Sequence, residues 1–89
     1  MKQYKHFVER KAQKFLRKLP KAQEEFLIEE IKKLPYEGDI KALQGGRNKK
    51  AGYKRLRAGD FRIIYTQDDE KLIICAIDAG NRGDIYKRY

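Results

Sequence analysis

The feature that most constrains the fold is an apolar run near the C-terminal end of the sequence. Residues Leu72 to Ile77 are all apolar, within the strand-like segment Lys71 to Asp78. A strand that is apolar on both faces is usually central in its sheet and covered by helices. The chain has 89 residues, which leaves room for one modest core. We therefore expect a single domain over residues 1–89, in which helices cover a sheet built around this strand.

Two further strand-like runs precede this segment. Residues 52–57 and residues 61–66 are separated by the short turn Ala58-Gly59-Asp60, and residues 67–70 form a second turn. Three strands joined by short turns predict an antiparallel meander. The glycine-rich stretch Tyr36 to Gly52 is predicted to be a loop.

The N-terminal half predicts two amphipathic helices. From Glu9 to Leu19 the apolar residues recur at helical spacing, and the same holds from Lys21 to Leu34. Pro20 suits the first turn of the second helix, and Pro35 ends that helix. Lys2 to Val8 fits either a short strand or a lead-in to the first helix. Together these patterns predict an α+β fold, with an N-terminal helical hairpin packed on a small antiparallel sheet.

The charge of the chain indicates a polyanionic partner. The 22 basic and 13 acidic residues give a formal net charge of +9, and a field of this sign concentrates nucleic acid or an acidic protein. Basic residues are densest between Lys41 and Arg62, where Asp60 is the only acidic residue. A solvated basic face with no ligand is the alternative interpretation of this run.

Other residue types limit the classes of function. The single cysteine, Cys75, cannot form a disulfide within the chain, which fits a reducing compartment. The single histidine, His6, has no companion for catalysis, and no cluster of ligands has metal-binding spacing. No stretch resembles a membrane span or a signal peptide. We expect a soluble cytoplasmic protein with no cofactor, no bound metal and no membrane partner.

Three motifs resemble those of the RelE/ParE toxin superfamily. The segment Gly52 to Tyr65 (GYKRLRAGDFRIIY) resembles the core motif YRLRxGDYRxxY of that superfamily. Gly80 to Tyr86 resembles its closing motif GxRxxxY, and Lys41 to Gly45 resembles its K-x-L-x-G loop. The resemblance implies a two-helix, four-strand toxin that is neutralised by an antitoxin encoded beside it.

The resemblance leaves more than one function open. RelE-type members cut messenger RNA in the ribosomal A site, whereas ParE-type members act on DNA gyrase. The motifs are closest to RelE-type mRNA interferases, so we expect a metal-independent, ribosome-dependent endoribonuclease. A ParE-like gyrase inhibitor, or a non-toxic member that binds RNA or antitoxin, are the alternatives. The expected partners are the ribosome with its message and an antitoxin with an acidic or amphipathic segment, held in a hetero-oligomer.

Candidate site residues follow from the chemistry of RNA cleavage. Without a metal, the 2′-hydroxyl must lose a proton, the phosphoryl oxygens need added positive charge, and the leaving oxygen must gain a proton. By motif match, Arg62 is the candidate that holds the phosphate, because a guanidinium can grip two oxygens. Arg82 resembles the general acid of the family, and Tyr86 resembles its base-stacking aromatic.

The general base is harder to place. Lys54 is the candidate because nearby cations lower the pKa of a lysine. Strict alternation, however, puts Lys54 and Arg55 on opposite faces of their strand. Either a bulge brings Lys54 among the arginines, or Arg55 takes part of the role. Six further basic residues are candidates for binding RNA phosphates: Arg47, Lys49, Lys50, Arg57, Lys87 and Arg88.

Structural roles are the alternatives for two of these arginines. Arg62 is also suited to pairing with Asp60 or Asp78, and Arg82 to pairing with Asp84. If the catalytic roles hold, Arg62→Ala and Arg82→Ala are both expected to lose growth inhibition while staying folded.

Overall fold

The computed structural model describes residues 2–43 and 53–86, with only the backbone of Tyr86. Within these residues, a first strand is followed by two helices, four strands and a short helix. In order, these elements are β1 (Lys5–Val8), α1 (Arg10–Arg17), α2 (Lys21–Lys32), β2 (Asp39–Ala42), β3 (Tyr53–Ala58), β4 (Phe61–Asp68), β5 (Ile73–Asn81) and α3 (Arg82–Tyr86).

The five strands form one sheet in the order β1-β5-β4-β3-β2. The pairs β2–β3, β3–β4 and β4–β5 are antiparallel, and the last two form the meander that the sequence predicted. The apolar strand β5 lies between β4 and β1. β1 pairs parallel with β5, from Lys5 opposite Ile73 to Val8 opposite Ala76. The α+β class is therefore confirmed. The sheet is mixed rather than antiparallel throughout, because β1 pairs parallel with β5. The N-terminal helical hairpin is not confirmed, since β1 precedes both helices.

Two short elements, β2 and α3, were not predicted from the sequence. β2 lies in the stretch that was predicted to be a loop, and it has only four residues. α3 has five residues, fewer than two helical turns. Both are too short for hydrophobic periodicity to reveal them, and both depend on pairing or packing with the rest of the sheet.

The main core lies between one face of the sheet and the two long helices. Ala12 and Leu16 of α1 and Leu27 and Ile31 of α2 are buried there, at the helical spacing that the sequence indicated. Phe26, another apolar residue of α2, is 47% exposed. The sheet residues in this core cluster are Leu56, Ala58, Ile63, Tyr65, Ile74, Ala76 and Ala79.

Tyr65 carries a polar atom into this core. Its side chain is fully buried, and its hydroxyl has no hydrogen-bond partner among the residues that the structure describes. Burial raises the pKa of Tyr65 to about 12. Within the described part of the chain, the hydroxyl therefore gains no hydrogen bond in exchange for the hydration that it loses on folding.

Tyr65→Phe should raise the free energy of unfolding by about 1 kcal/mol, because it removes an unsatisfied buried polar group. Its advantage should grow above about pH 10, where an unfolded tyrosine loses its proton while the folded wild type keeps it on Tyr65. Urea unfolding at neutral and at alkaline pH measures both effects. Tyr36→Phe is the control with the opposite sign, since the Tyr36 hydroxyl donates to the carbonyl of Lys2. A less stable Tyr65→Phe variant at neutral pH would contradict the assignment.

Candidate nucleic-acid interface on the sheet

Three arginines share the face of the sheet that points away from α1 and α2. Arg57 lies directly opposite Arg62 in the β3–β4 ladder, and Arg55 lies opposite Ile64. Directly opposed residues of antiparallel strands project on the same side, and the core residues alternate with them on the other side. β2 adds residues by pairing with β3. We call this side the arginine face, and it carries Asp39, Lys41, Arg55, Arg57 and Arg62.

The helix α3 covers part of the same side. It packs against β4 and β5. Its Ile85 and the β4 residue Ile64 are both buried, yet neither belongs to the core cluster beneath α1 and α2. α3 therefore forms a second, smaller apolar contact on the arginine face and places its first residue, Arg82, beside that face.

Arg55 and Arg57 flank a carboxylate. Arg55 Nη2 is 3.7 Å from Asp39 Oδ1, and Arg57 Nη1 is 3.9 Å from Asp39 Oδ2. The side chain of Arg57 is 54% exposed, whereas that of Arg55 is 10% exposed. Arg57 is therefore open to a ligand from solvent, and Arg55 lies deeper, where its charge is less screened by water.

Arg62 is engaged with its own turn. Its side chain is buried, and Nη1 donates to the carbonyl oxygens of Gly59 and Phe61 at 3.0 and 2.8 Å. Gly59 lies in the two-residue connection between β3 and β4 and takes a φ of 60°, which glycine adopts without strain. Phe61 is the first residue of β4. The guanidinium thus stabilises the turn, a contact that sequence reasoning did not foresee.

Arg82 is tied to the same turn through its backbone. Its N–H donates to the carbonyl of Asp60 at 3.0 Å, and its side chain is exposed. Arg62 and Arg82 are therefore both anchored at the β3–β4 turn, although they are 20 residues apart in sequence. Tyr86 closes α3, and its side chain lies outside the described residues. Among those residues, no ion pair joins Arg82 to Asp84.

Lys54 lies on the opposite face from the arginines. The pairing of β3 with β2 and β4 is regular from Tyr53 to Ala58, so no bulge turns Lys54 over. The Lys54 ammonium donates to the side chain of Gln67 at 3.0 Å, and Gln67 donates to Asp69 at 2.7 Å. The hydrogen bond from Gln67 is the main reason that the pKa of Asp69 is lowered. Of the two alternatives for this strand, the bulge that would bring Lys54 among the arginines is absent between Tyr53 and Ala58.

Sequence reasoning also missed two members of the arginine face. Asp39 and Lys41 flank the partly buried Ile40, an alternation typical of a strand but too brief to stand out. Five predicted RNA-binding residues lie outside the described residues: Arg47, Lys49, Lys50, Lys87 and Arg88. Residues 2–43 and 53–86 contain no group of three His, Cys, Asp or Glu side chains that could hold a metal ion. No helix in the described part of the chain is long and apolar enough to cross a membrane.

Comparison with known proteins places the chain in a family. Residues 6–86 match the family described as "ParE toxin of type II toxin-antitoxin system, parDE". The chain belongs to this family. It is thus a toxin of a type II toxin–antitoxin system, within the RelE/ParE superfamily that its motifs resembled. No curated protein matches this ParE-family toxin.

Solved structures share the fold of this ParE-family toxin. The archaeal RelE–RelB complex from Pyrococcus horikoshii contains a chain with 27% identity and a TM-score of 0.74, over 92% of this chain and 98% of that one. A chain of the RelBE2 complex from Mycobacterium tuberculosis gives 24% identity and a TM-score of 0.73, over 89% and 98%. Isolated RelE from E. coli gives 24% identity and a TM-score of 0.64, over 96% and 93%. At 24% identity, the last two show the fold alone.

Proposed function

We propose that this toxin is a ribosome-dependent endoribonuclease that cleaves messenger RNA and so inhibits translation. The observation that carries the proposal is the arginine face, where Arg55 and Arg57 stand side by side, with Arg62 opposite Arg57. A phosphoryl group in the transition state of cleavage gains negative charge, and preorganised cations stabilise that charge. The likeness in fold to RelE toxins adds support.

The proposed roles of the arginines follow from their exposure. Arg57 is open to solvent and would bind the scissile phosphate. Arg55, which is more deeply buried, would add positive charge next to it. Arg62, the candidate from the motif, would hold the turn that positions Arg57 and Arg82. Arg82 would protonate the leaving oxygen, and Tyr86 would stack on a base. The remaining candidates would bind flanking phosphates in a salt-dependent way: Arg47, Lys49, Lys50, Lys87 and Arg88.

We propose an antitoxin as the second partner. The structures from Pyrococcus horikoshii and Mycobacterium tuberculosis are complexes of toxin with antitoxin, which supports the same arrangement for this chain. Its formal charge of +9 favours an antitoxin segment that is acidic or amphipathic. We also propose that residues 1–89 form one domain and that the complex is a cytoplasmic hetero-oligomer.

Purified wild-type toxin should produce discrete cuts in a reporter messenger RNA only when translating ribosomes are present. The physical reason is that the arginine face supplies charge for catalysis, while the ribosome holds the message in a reactive geometry. Primer extension with and without ribosomes measures the cuts, and the toxin bound to its antitoxin is the control. Absence of cuts under both conditions would contradict the proposal.

A ParE-like inhibitor of DNA gyrase is the second candidate function. The match to the ParE toxin family favours it, and so does the structure of two motif residues. Lys54 lies away from the arginines, and the Arg62 guanidinium binds the backbone of its own turn. If primer extension finds no cuts, a supercoiling assay with purified gyrase decides this alternative.

A further inference from the structure

We infer that Asp39 is the general base of the cleavage reaction and accepts the proton from the attacking 2′-hydroxyl. The inference rests on the proposed endoribonuclease activity. It assigns a role to a residue that none of the family motifs contains, and it fills the position that Lys54 leaves empty on the arginine face.

The other candidate bases lie elsewhere in the fold. Lys54 is bonded to Gln67 on the opposite side of the sheet. The His6 ring nitrogen Nε2 lies 2.7 Å from the carbonyl oxygen of Leu34, where β1 meets the end of the helical layer. A carboxylate is ionised at neutral pH and accepts a proton at once, whereas a lysine must first lose its own. Asp39 is thus chemically better prepared than Lys41, its basic neighbour on the same strand.

The geometry of Asp39 leaves its oxygens available. Its contacts with Arg55 and Arg57, at 3.7 and 3.9 Å, are ion pairs but are too long for hydrogen bonds. Within residues 2–43 and 53–86, no hydrogen bond to the Asp39 carboxylate is formed. The side chain is 57% exposed. Its lone pairs can therefore accept a hydrogen bond from a substrate hydroxyl that approaches from solvent.

The spacing also suits the reaction. A general base works at about 2.6–3.2 Å from the oxygen that loses its proton, and that oxygen attacks phosphorus from about 3–3.5 Å. A guanidinium binds a phosphate oxygen at about 2.7–2.9 Å. A phosphate held by Arg57 would thus bring the adjacent ribose within reach of Asp39.

The 2′-O–H proton passes to an Asp39 oxygen as the 2′-oxygen forms a bond to phosphorus. The bond from phosphorus to the 5′-oxygen breaks, and that oxygen takes its electron pair. Arg82, or a water molecule at its position, donates a proton to the leaving oxygen. The products are a 2′,3′-cyclic phosphate and a 5′-hydroxyl, and Asp39 later returns its proton to solvent.

Asp39→Asn tests this assignment in a single-turnover assay on ribosomes stalled with a defined message. The cleavage rate should fall by about 10²–10³-fold, within the usual contribution of general base catalysis, while Asp39→Glu should keep part of it. RNA binding should become tighter in Asp39→Asn, because the formal charge of +9 rises by one. Glu29→Gln on α2 is the matched control, since it makes the same change of charge on the helical side, where Glu29 pairs with Lys32.

Each outcome has a distinct meaning. If the wild-type toxin cleaves the message and the Asp39→Asn variant cleaves it equally fast, the role of Asp39 is overturned and the endoribonuclease proposal stays intact. If Asp39→Asn instead binds RNA more weakly but cleaves at an unchanged rate when saturated with RNA, the role of Asp39 as a base is also overturned. That result would show that Asp39 only holds the arginines in place. A wild-type toxin that makes no cuts would overturn both proposals together.

Discussion

Arg57→Ala should lower the rate of messenger RNA cleavage by about 10²–10³-fold, the cost typical of removing one preorganised group that stabilises transition-state charge. Stability should change little, because the Arg57 side chain is 54% exposed and its contact with Asp39 is a long surface ion pair. Single-turnover cleavage on stalled ribosomes gives the rate, and urea unfolding gives the stability of the same preparation.

A matched variant separates this local effect from a general loss of positive charge. Arg17→Ala removes one cation from α1, on the helical side, where Arg17 bonds only weakly to Gln13 at 3.2 Å. It should cut messenger RNA at nearly the wild-type rate. Equal rate losses in both variants would show that only the net charge matters, and an unaffected Arg57→Ala variant would remove Arg57 from the site.

Arg62→Ala is expected to lower the free energy of unfolding by about 3 kcal/mol, because it removes two hydrogen bonds from a buried charged group, a kind of bond worth about 1.5–3 kcal/mol. The sequence predicts that this variant loses toxicity while staying folded, and the structure adds the expectation that it loses stability. The carbonyls of Gly59 and Phe61 accept from a side chain that is buried. Urea unfolding measures the loss.

Arg62→Met distinguishes the lost hydrogen bonds from the lost volume. Methionine fills most of the space of the arginine stem but cannot donate, so its stability should lie close to that of Arg62→Ala if the donor matters. Recovery of most of the stability in Arg62→Met would assign the effect to packing instead. An Arg62→Ala variant as stable as wild type would show that the guanidinium is not structural, and would return Arg62 to the role of phosphate ligand.

The fold was predictable where a pattern was long or a turn was well marked. The structure contains the strand predicted from the apolar run of β5, the strand β4 and the Gly59-Asp60 connection between β3 and β4. β1 was left open as a strand or a lead-in, because its parallel pairing with β5 depends on residues far along the chain. β2 was missed because a four-residue strand gains its stability from its neighbour rather than from its own sequence.

The same limit applies to the candidate site: what depends on alternation along one strand was predictable, and what depends on contacts between segments was not. Alternation along one strand was enough to predict that Arg55 and Arg57 share a face. The position of Arg62 opposite Arg57 follows from the register between β3 and β4 in the structure. The burial of Arg62 was not predictable, because it accompanies hydrogen bonds to the backbone of Gly59 and Phe61 that no sequence pattern marked. Asp39 was missed for a related reason: its position beside Arg57 appears only once the register between β2 and β3 is known.

The parallel pairing of β1 with β5 also determines when this toxin can finish folding during its own synthesis. Lys5 to Val8 pair with Ile73 to Ala76, so β1 cannot join the sheet at this position until β5 has been synthesised. At about 5–20 residues per second, the intervening stretch of about 65 residues takes roughly 3–13 s to translate. During that interval the incomplete sheet lacks both β5 and the helix that follows it. The nascent chain therefore cannot assemble its arginine face with Arg82 until both β5 and α3 have been synthesised.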